Sequence, residues 1–171
     1  TQVASLYKNM PVDNILQTNG ATGATMLALY ALIEPEGHII SMYPTYQQLY
    51  DIPKSLGADV DLWEVEEDKG WLPDLDQLRR LIRPNTKMIC INNANNPTGA
   101  LMDAAYLEEL VSIAKEVDAY VFSDEVYRSF DQPAPSIMDL YDKGIAVNSL
   151  SKTYSIPGIR VGWVASNTEV A

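Results

Sequence analysis

Apolar residues fall along the chain in short runs, and several of these runs are followed by a stretch with helical spacing. The runs at 14–18, 38–42, 60–65, 87–91, 120–123, 145–149 and 161–165 read as strands, and the stretches 25–33, 75–82 and 107–117 as helices. Apolar strands that alternate with helices predict a sheet buried on both faces, an α/β/α three-layer sandwich. The clearest helix is DAAYLEELVSIAKEV. Its Leu107, Leu110, Val111, Ala114 and Val117 form one stripe, and Asp103 is placed to cap its start. Asp74 and Gln77 have the spacing of a capping box before Leu78. No internal repeat, low-complexity tract or Pro/Gly-rich linker interrupts the pattern, so a single domain over 1–171 is expected.

Composition narrows the partners. Twelve basic against 23 acidic residues give a net charge of −11, with the acids scattered, so nucleic acid and anionic membrane surfaces are not expected as partners. No apolar run approaches the length of a spanning helix, and the start TQVASLYKNM has no secretory pattern, which points to a cytoplasmic protein. The single cysteine, Cys90 in KMICI, reads as a buried strand position rather than a nucleophile, and no disulfide within the chain can form. His38 reads as the start of a strand, and no metal-ligand set is nominated. The chain opens on Thr1 and stops soon after an apolar strand, as a piece of a longer protein would.

In open α/β sheets the chemistry gathers beyond the carboxyl ends of the strands. Those ends here read NGATG, YPTY, NNANNPTG, SDEVY and SLSK. Three partial motifs at or near them lack their companions. Gly20 and Gly23 begin a dinucleotide fingerprint, but the third glycine is Met26, and the second strand runs into Tyr43 and Pro44 instead of an acid for the ribose. Tyr50 and Lys54 have the spacing of a short-chain dehydrogenase pair, yet Pro53 between them makes a regular helix costly. Ser149 and Lys152 match SxxK, but SDE stands for SDN at 123–125, and Thr153 and Tyr154 follow the lysine in place of Thr-Gly.

One chemistry uses all of these ends: a cofactor with a phosphate, a pyridine ring and an aldehyde. The amides of Ala21 and Thr22 at a helix start, with the Thr22 hydroxyl, would cup the phosphate, and Ser149 and Arg160 would close the cup. Asp124 would pair with a protonated pyridine nitrogen and keep the ring an electron sink. Lys152 would form the Schiff base, activated by desolvation or by neighbouring positive charge.

The segments NGATGA, YPTY, NNANNPTGA, SDEVYRSF and SLSKTYSIPGIRVGW, in this order, resemble the class I and II aminotransferases, pyridoxal-phosphate enzymes of fold type I. The resemblance covers nearly the whole chain. It implies a seven-stranded, mostly parallel sheet with 161–165 antiparallel to the rest, and transfer of an amino group between an amino acid and a 2-oxo acid. It implies further that Lys152 carries the cofactor and shuttles the substrate proton, and that Asp124 binds the ring nitrogen. Asn96 and Tyr127 would donate to the phenolic oxygen, Tyr46 would stack on the ring, and Ala21, Thr22, Ser149 and Arg160 would hold the phosphate. Family members are usually homodimers. A carbon–sulfur lyase or aminocyclopropane carboxylate synthase of the same fold, and a non-catalytic cofactor-binding domain, stand as alternatives. Members of the family run to about twice this length. The smaller domain, the N-terminal segment that closes over the site and the arginine for the substrate carboxylate are therefore expected to lie outside 1–171, and turnover by this chain alone is expected to be impaired.

Overall fold

A computed structural model describes residues 2–128 and 134–167, so Ser129 and Phe130 of SDEVYRSF and the terminal residues 168–171 lie outside the described residues. Seven strands form one sheet: β1 Ile15–Asn19, β2 His38–Tyr43, β3 Asp59–Glu64, β4 Thr86–Asn92, β5 Tyr120–Asp124, β6 Gly144–Ser149 and β7 Val161–Ser166. Their order across the sheet is β1-β7-β6-β5-β4-β2-β3. β7 alone is antiparallel, pairing with β1 on one side and β6 on the other, while the remaining pairs are parallel.

The helices are α1 Gly20–Leu32, α2 Gln48–Ser55, α3 Leu75–Leu81 and α4 Ala104–Glu116. The central strands send successive side chains to opposite faces, as the pleat requires. Met88, Cys90, Phe122, Ile145 and Val147 pack with Ala24, Leu29 and Leu49 of α1 and α2. Ile89, Ile91, Val121 and Ala146 pack with Leu78, Leu107, Leu110 and Ala114 of α3 and α4. Both faces are thus covered, which gives the three layers expected from the continuous apolar strands. Cys90 is fully buried, and burial pushes its thiol up, as a packing residue's would be.

Two expectations need correction. A helix does form across Pro53, as α2. The proline costs one i to i−4 bond, but it is itself buried, and Leu49 is fully buried against the core, so packing outweighs the missing bond. The capping box of α3 is half formed. Asp74 accepts from the amides of Asp76 at 2.8 Å and Gln77 at 3.4 Å, while Gln77 Oε1 is buried with no hydrogen-bond partner among the described residues, so the reciprocal half is missing. Asp103 does cap α4, accepting from the Tyr106 amide at 2.9 Å. His38 opens β2 and is fully buried between the Thr86 hydroxyl at 2.7 Å and Asp61 at 3.1 Å.

This packing sets a ranking for α4. Leu110→Ala, which empties a fully buried site, is expected to cost about 2–5 kcal/mol. Asp103→Ala, which removes only a cap, is expected to cost about 1 kcal/mol. Urea unfolding of both variants checks the order, and equal losses would contradict it.

Candidate functional site

Every site residue expected from sequence borders one cleft of about 380 Å³: Ala21, Thr22, Tyr46, Asn96, Asp124, Tyr127, Ser149, Lys152 and Arg160. The cleft lies beyond the carboxyl ends of β1, β4, β5 and β6, where the α/β topology concentrates chemistry.

The first wall is the start of α1. Gly20 sits at φ +70°, a conformation that favours glycine, and Asn19 before it supplies no side-chain cap. The first turn holds no acid. Against it stands Arg160, whose own backbone is left-handed at φ 52° and ψ 44° and whose Nη1 donates to the Pro157 carbonyl at 2.9 Å. A Cβ on Gly20 would lie 2.3 Å from Arg160 Nη2, so the guanidinium rests where any other side chain would be. Beneath, Gly162 of β7 aligns with Thr18 on one side and Ser149 on the other. A Cβ there would meet Gly20 C at 2.3 Å and Ala21 N at 2.6 Å. Gly23 is different: a Cβ would meet only ordinary contacts at 3.8 and 3.9 Å. The two glycines that resembled a dinucleotide fingerprint therefore have different status, and only Gly20 is dictated by geometry.

The floor is Asp124, buried at the end of β5. Its Oδ1 accepts from the Val126 amide at 3.1 Å. Burial pushes its carboxyl up to about 6, against the smaller lowering effects of that amide and of Lys152. Ser149 is buried at the end of β6, and its hydroxyl accepts from the Ser151 amide at 3.2 Å. Lys152 is exposed in the turn after β6, with Nζ 5.6 Å from the centroid of the Tyr127 ring. The desolvation expected to activate it is thus not supplied by the described residues. The Thr153 hydroxyl lies 3.2 Å from the carbonyls of both Val126 and Arg128 and ties the lysine turn to the two residues flanking Tyr127.

The far wall is rich in asparagine because a carboxamide both donates and accepts, so it can join two backbones. Asn93 bonds both to and from the backbone of Met102 at 3.0 and 2.8 Å, closing the loop that carries Asn96. Asn95 accepts from the Thr45 hydroxyl at 2.9 Å and donates to the Pro44 carbonyl at 3.1 Å, which fastens that loop to the one bearing Tyr46. Thr25, Gln48, Asn92 and Ser151 also line the cleft and were not anticipated. The signal that could have found Asn92 is its place at a strand end inside NNANNPTG.

On the opposite side of the strand end, Glu125 is buried and pushed up to about 7, chiefly by burial, although it accepts from the Ser136 hydroxyl at 3.0 Å and the Ile137 amide at 2.9 Å. Arg128 stands 3.8 Å from it and donates to the Leu6 carbonyl at 3.3 and 3.2 Å. Arg128 thus ties the N-terminal segment to the turn after β5.

A three-layer α/β domain with an uncapped helix start, an arginine set against it, a buried carboxylate and a lysine in one cleft has the layout of a phosphate-bearing cofactor site. The family model for aminotransferase class I and II matches residues 1–171, and the chain belongs to that family. It is 34% identical over 171 residues to an aspartate aminotransferase of Thermotoga maritima, covering 96% of this chain and 45% of that protein. It is likewise 34% identical over 168 residues to the glutamate-pyruvate aminotransferase AlaA of Escherichia coli, covering 94% of this chain and 41% of that protein. Among solved structures, a PLP-dependent aminotransferase from Streptococcus suis superposes with a TM-score of 0.96 at 72% identity, over 98% of this chain and 45% of that one. The chain thus spans less than half the length of the relatives it matches.

Two predictions follow from this geometry. Gly162→Ala is expected to destabilise the fold by about 1–3 kcal/mol, since the backbone of the cup must move. Gly23→Ala, in open helix, is expected to stabilise by up to about 1 kcal/mol, and thermal melts compare the two. The second concerns Asp124. Its carboxyl is raised from 3.8 to about 6, so the unfolded chain ionises first as pH rises; the native state loses stability through that window and bears the full cost above it. Asp124→Asn is therefore expected to stabilise the cofactor-free protein by roughly 1–3 kcal/mol near pH 8. The gain should shrink toward zero as the pH falls to about 4. A gain that is independent of pH would contradict the assignment.

Proposed function

We propose that residues 1–171 form the large, cofactor-binding domain of a pyridoxal-phosphate-dependent aminotransferase, which moves an amino group between an amino acid and a 2-oxo acid. The observation that carries this reading is the guanidinium of Arg160 set against the start of α1. A helix N-terminus bears partial positive charge, so a cation placed there is unfavourable unless an anion lies between them. The donors fit one phosphate: the amides of Ala21 and Thr22, the hydroxyls of Thr22 and Ser149, and Arg160. Asp124 fits the other end of the cofactor. A buried carboxyl raised to about 6 gains a partner when a protonated ring nitrogen comes within hydrogen-bond reach, and its ionised form is then favoured.

Bound pyridoxal phosphate would supply an aldehyde for an amine and a ring that accepts the electrons of the bond broken beside it. Lys152 would be the amine that holds that aldehyde, and its Nζ would take up and return the substrate proton. Asn96 and Tyr127 would hold the phenolic oxygen, and Tyr46 would cover one face of the ring. Selection of the substrate then falls to residues beyond this chain, and a homodimer in the cytoplasm completes the reading. The net charge of −11 argues against nucleic acid and anionic membranes, and among the described residues no helix is long and apolar enough to cross a membrane.

Addition of pyridoxal phosphate to the protein is expected to produce an absorbance band distinct from that of the free aldehyde, and borohydride should fix the cofactor to Lys152, as read by peptide mass. Lys152→Ala should abolish the band and the covalent mass. Arg160→Met should weaken binding by about tenfold or more, as expected when a charged hydrogen bond is lost. A band that survives Lys152→Ala unchanged would overturn the reading.

A further inference from the structure

Asn92 ends β4, is 1% exposed and borders the cleft. Its carboxamide works in two directions. Oδ1 accepts from the Asn96 amide at 2.7 Å, and Nδ2 donates to the Asp124 carbonyl at 2.9 Å. The Asp124 carbonyl also accepts from the Asn93 amide at 3.0 Å, and β4 pairs Asn92 directly with Asp124. One buried side chain therefore fixes the spacing between the residue assigned to the phenolic oxygen and the residue assigned to the ring nitrogen.

We propose that Asn92 is the positioning residue for the cofactor ring, holding Asn96 in register with Asp124 across the β4 and β5 ends. The proposal rests on the pyridoxal phosphate assignment above. A carboxamide is the side chain that suits the position. Asp would turn an acceptor toward the Asp124 carbonyl, and Leu of similar shape would take this partner from the Asn96 amide and leave the Asp124 carbonyl with the Asn93 amide alone. With Asn92 in place, the Asn96 loop would not drift from the ring without breaking the bond from the Asn96 amide to Asn92 Oδ1. Without it, Asn96 donates less well to the phenolic oxygen. Negative charge then builds on that oxygen beside the nitrogen linked to Lys152, and that nitrogen holds its proton to higher pH.

The test compares wild type, Asn92→Leu and Asn92→Ser, whose shorter side chain cannot reach both backbones. In the cofactor-free proteins, hydrogen exchange at the Asn96 amide is read by mass spectrometry. With pyridoxal phosphate, the dissociation constant and the pH midpoint of the absorbance of the Lys152-bound cofactor are measured. Faster Asn96 exchange, affinity about tenfold weaker and a midpoint moved upward are expected. If Leu does not fold, the same three readings on Ser decide. A folded variant with unchanged exchange, affinity within about twofold of wild type and an unmoved midpoint would overturn the proposal. A general loss of stability would weaken affinity but leave the midpoint in place, which also counts against it. Absence of any band with wild type would overturn the pyridoxal phosphate assignment itself, while the exchange arm still reads the tie between Asn92 and Asn96.

Discussion

The site depends on one close approach: the backbone of Gly162 lying under the backbone of Gly20 and Ala21. β7 runs antiparallel between β1 and β6, so its first residues arrive where its neighbours end. The row Thr18, Gly162, Ser149 crosses three strands at the same level and brings Ser149 beside the start of α1. Arg160 precedes this row by two positions, and its left-handed backbone turns the guanidinium onto Gly20. A side chain at Gly162 would push the start of α1 off β7, and the proposed phosphate donors on α1 and β6 would separate.

The two buried acids at the end of β5 show how the same physics serves different ends. Asp124 and Glu125 are neighbours, both are buried and both are raised by desolvation. Glu125 is met by the Ser136 hydroxyl, the Ile137 amide and, farther off, Arg128, and it ties Ser136 and Ile137 to the end of β5. Asp124 receives one amide through its carboxylate and otherwise faces the cleft. An acid left short of donors beside a cleft costs stability in the free protein and is what a cationic ring atom can repay.

Much of this was legible in the sequence, because the glycines, the acid and the lysine mark strand ends and strand ends are readable from apolar runs. The sheet followed from continuous strands such as KMICI, whose residues alternate between two covered faces. What could not be read depends on contacts distant along the chain. α2 was hidden because local propensity at Pro53 was outweighed by the burial of Leu49 against the sheet. Asn92 stood unremarked within the strand-end segment NNANNPTG, since its bond to the Asp124 carbonyl joins positions 32 residues apart. Arg128 carries no local sign that its partner is the Leu6 carbonyl, 122 residues away.

The acidic composition and the proposed phosphate site are compatible because they act over different distances. A charge of −11 spread over the surface repels an extended polyanion, but at physiological salt each charge is screened within about 8 Å. Inside the cleft a phosphate would meet two amides, two hydroxyls and a guanidinium at hydrogen-bond range, where the local donors dominate the field. Specificity follows from that difference. A small anion that fits between Arg160 and the start of α1 would be accepted, whereas a longer anion would have to carry its remaining charge out past an acidic surface. Met26 in place of a third glycine fits the proposed cup, since a single phosphate would end at the helix start and would need no close backbone approach farther along α1.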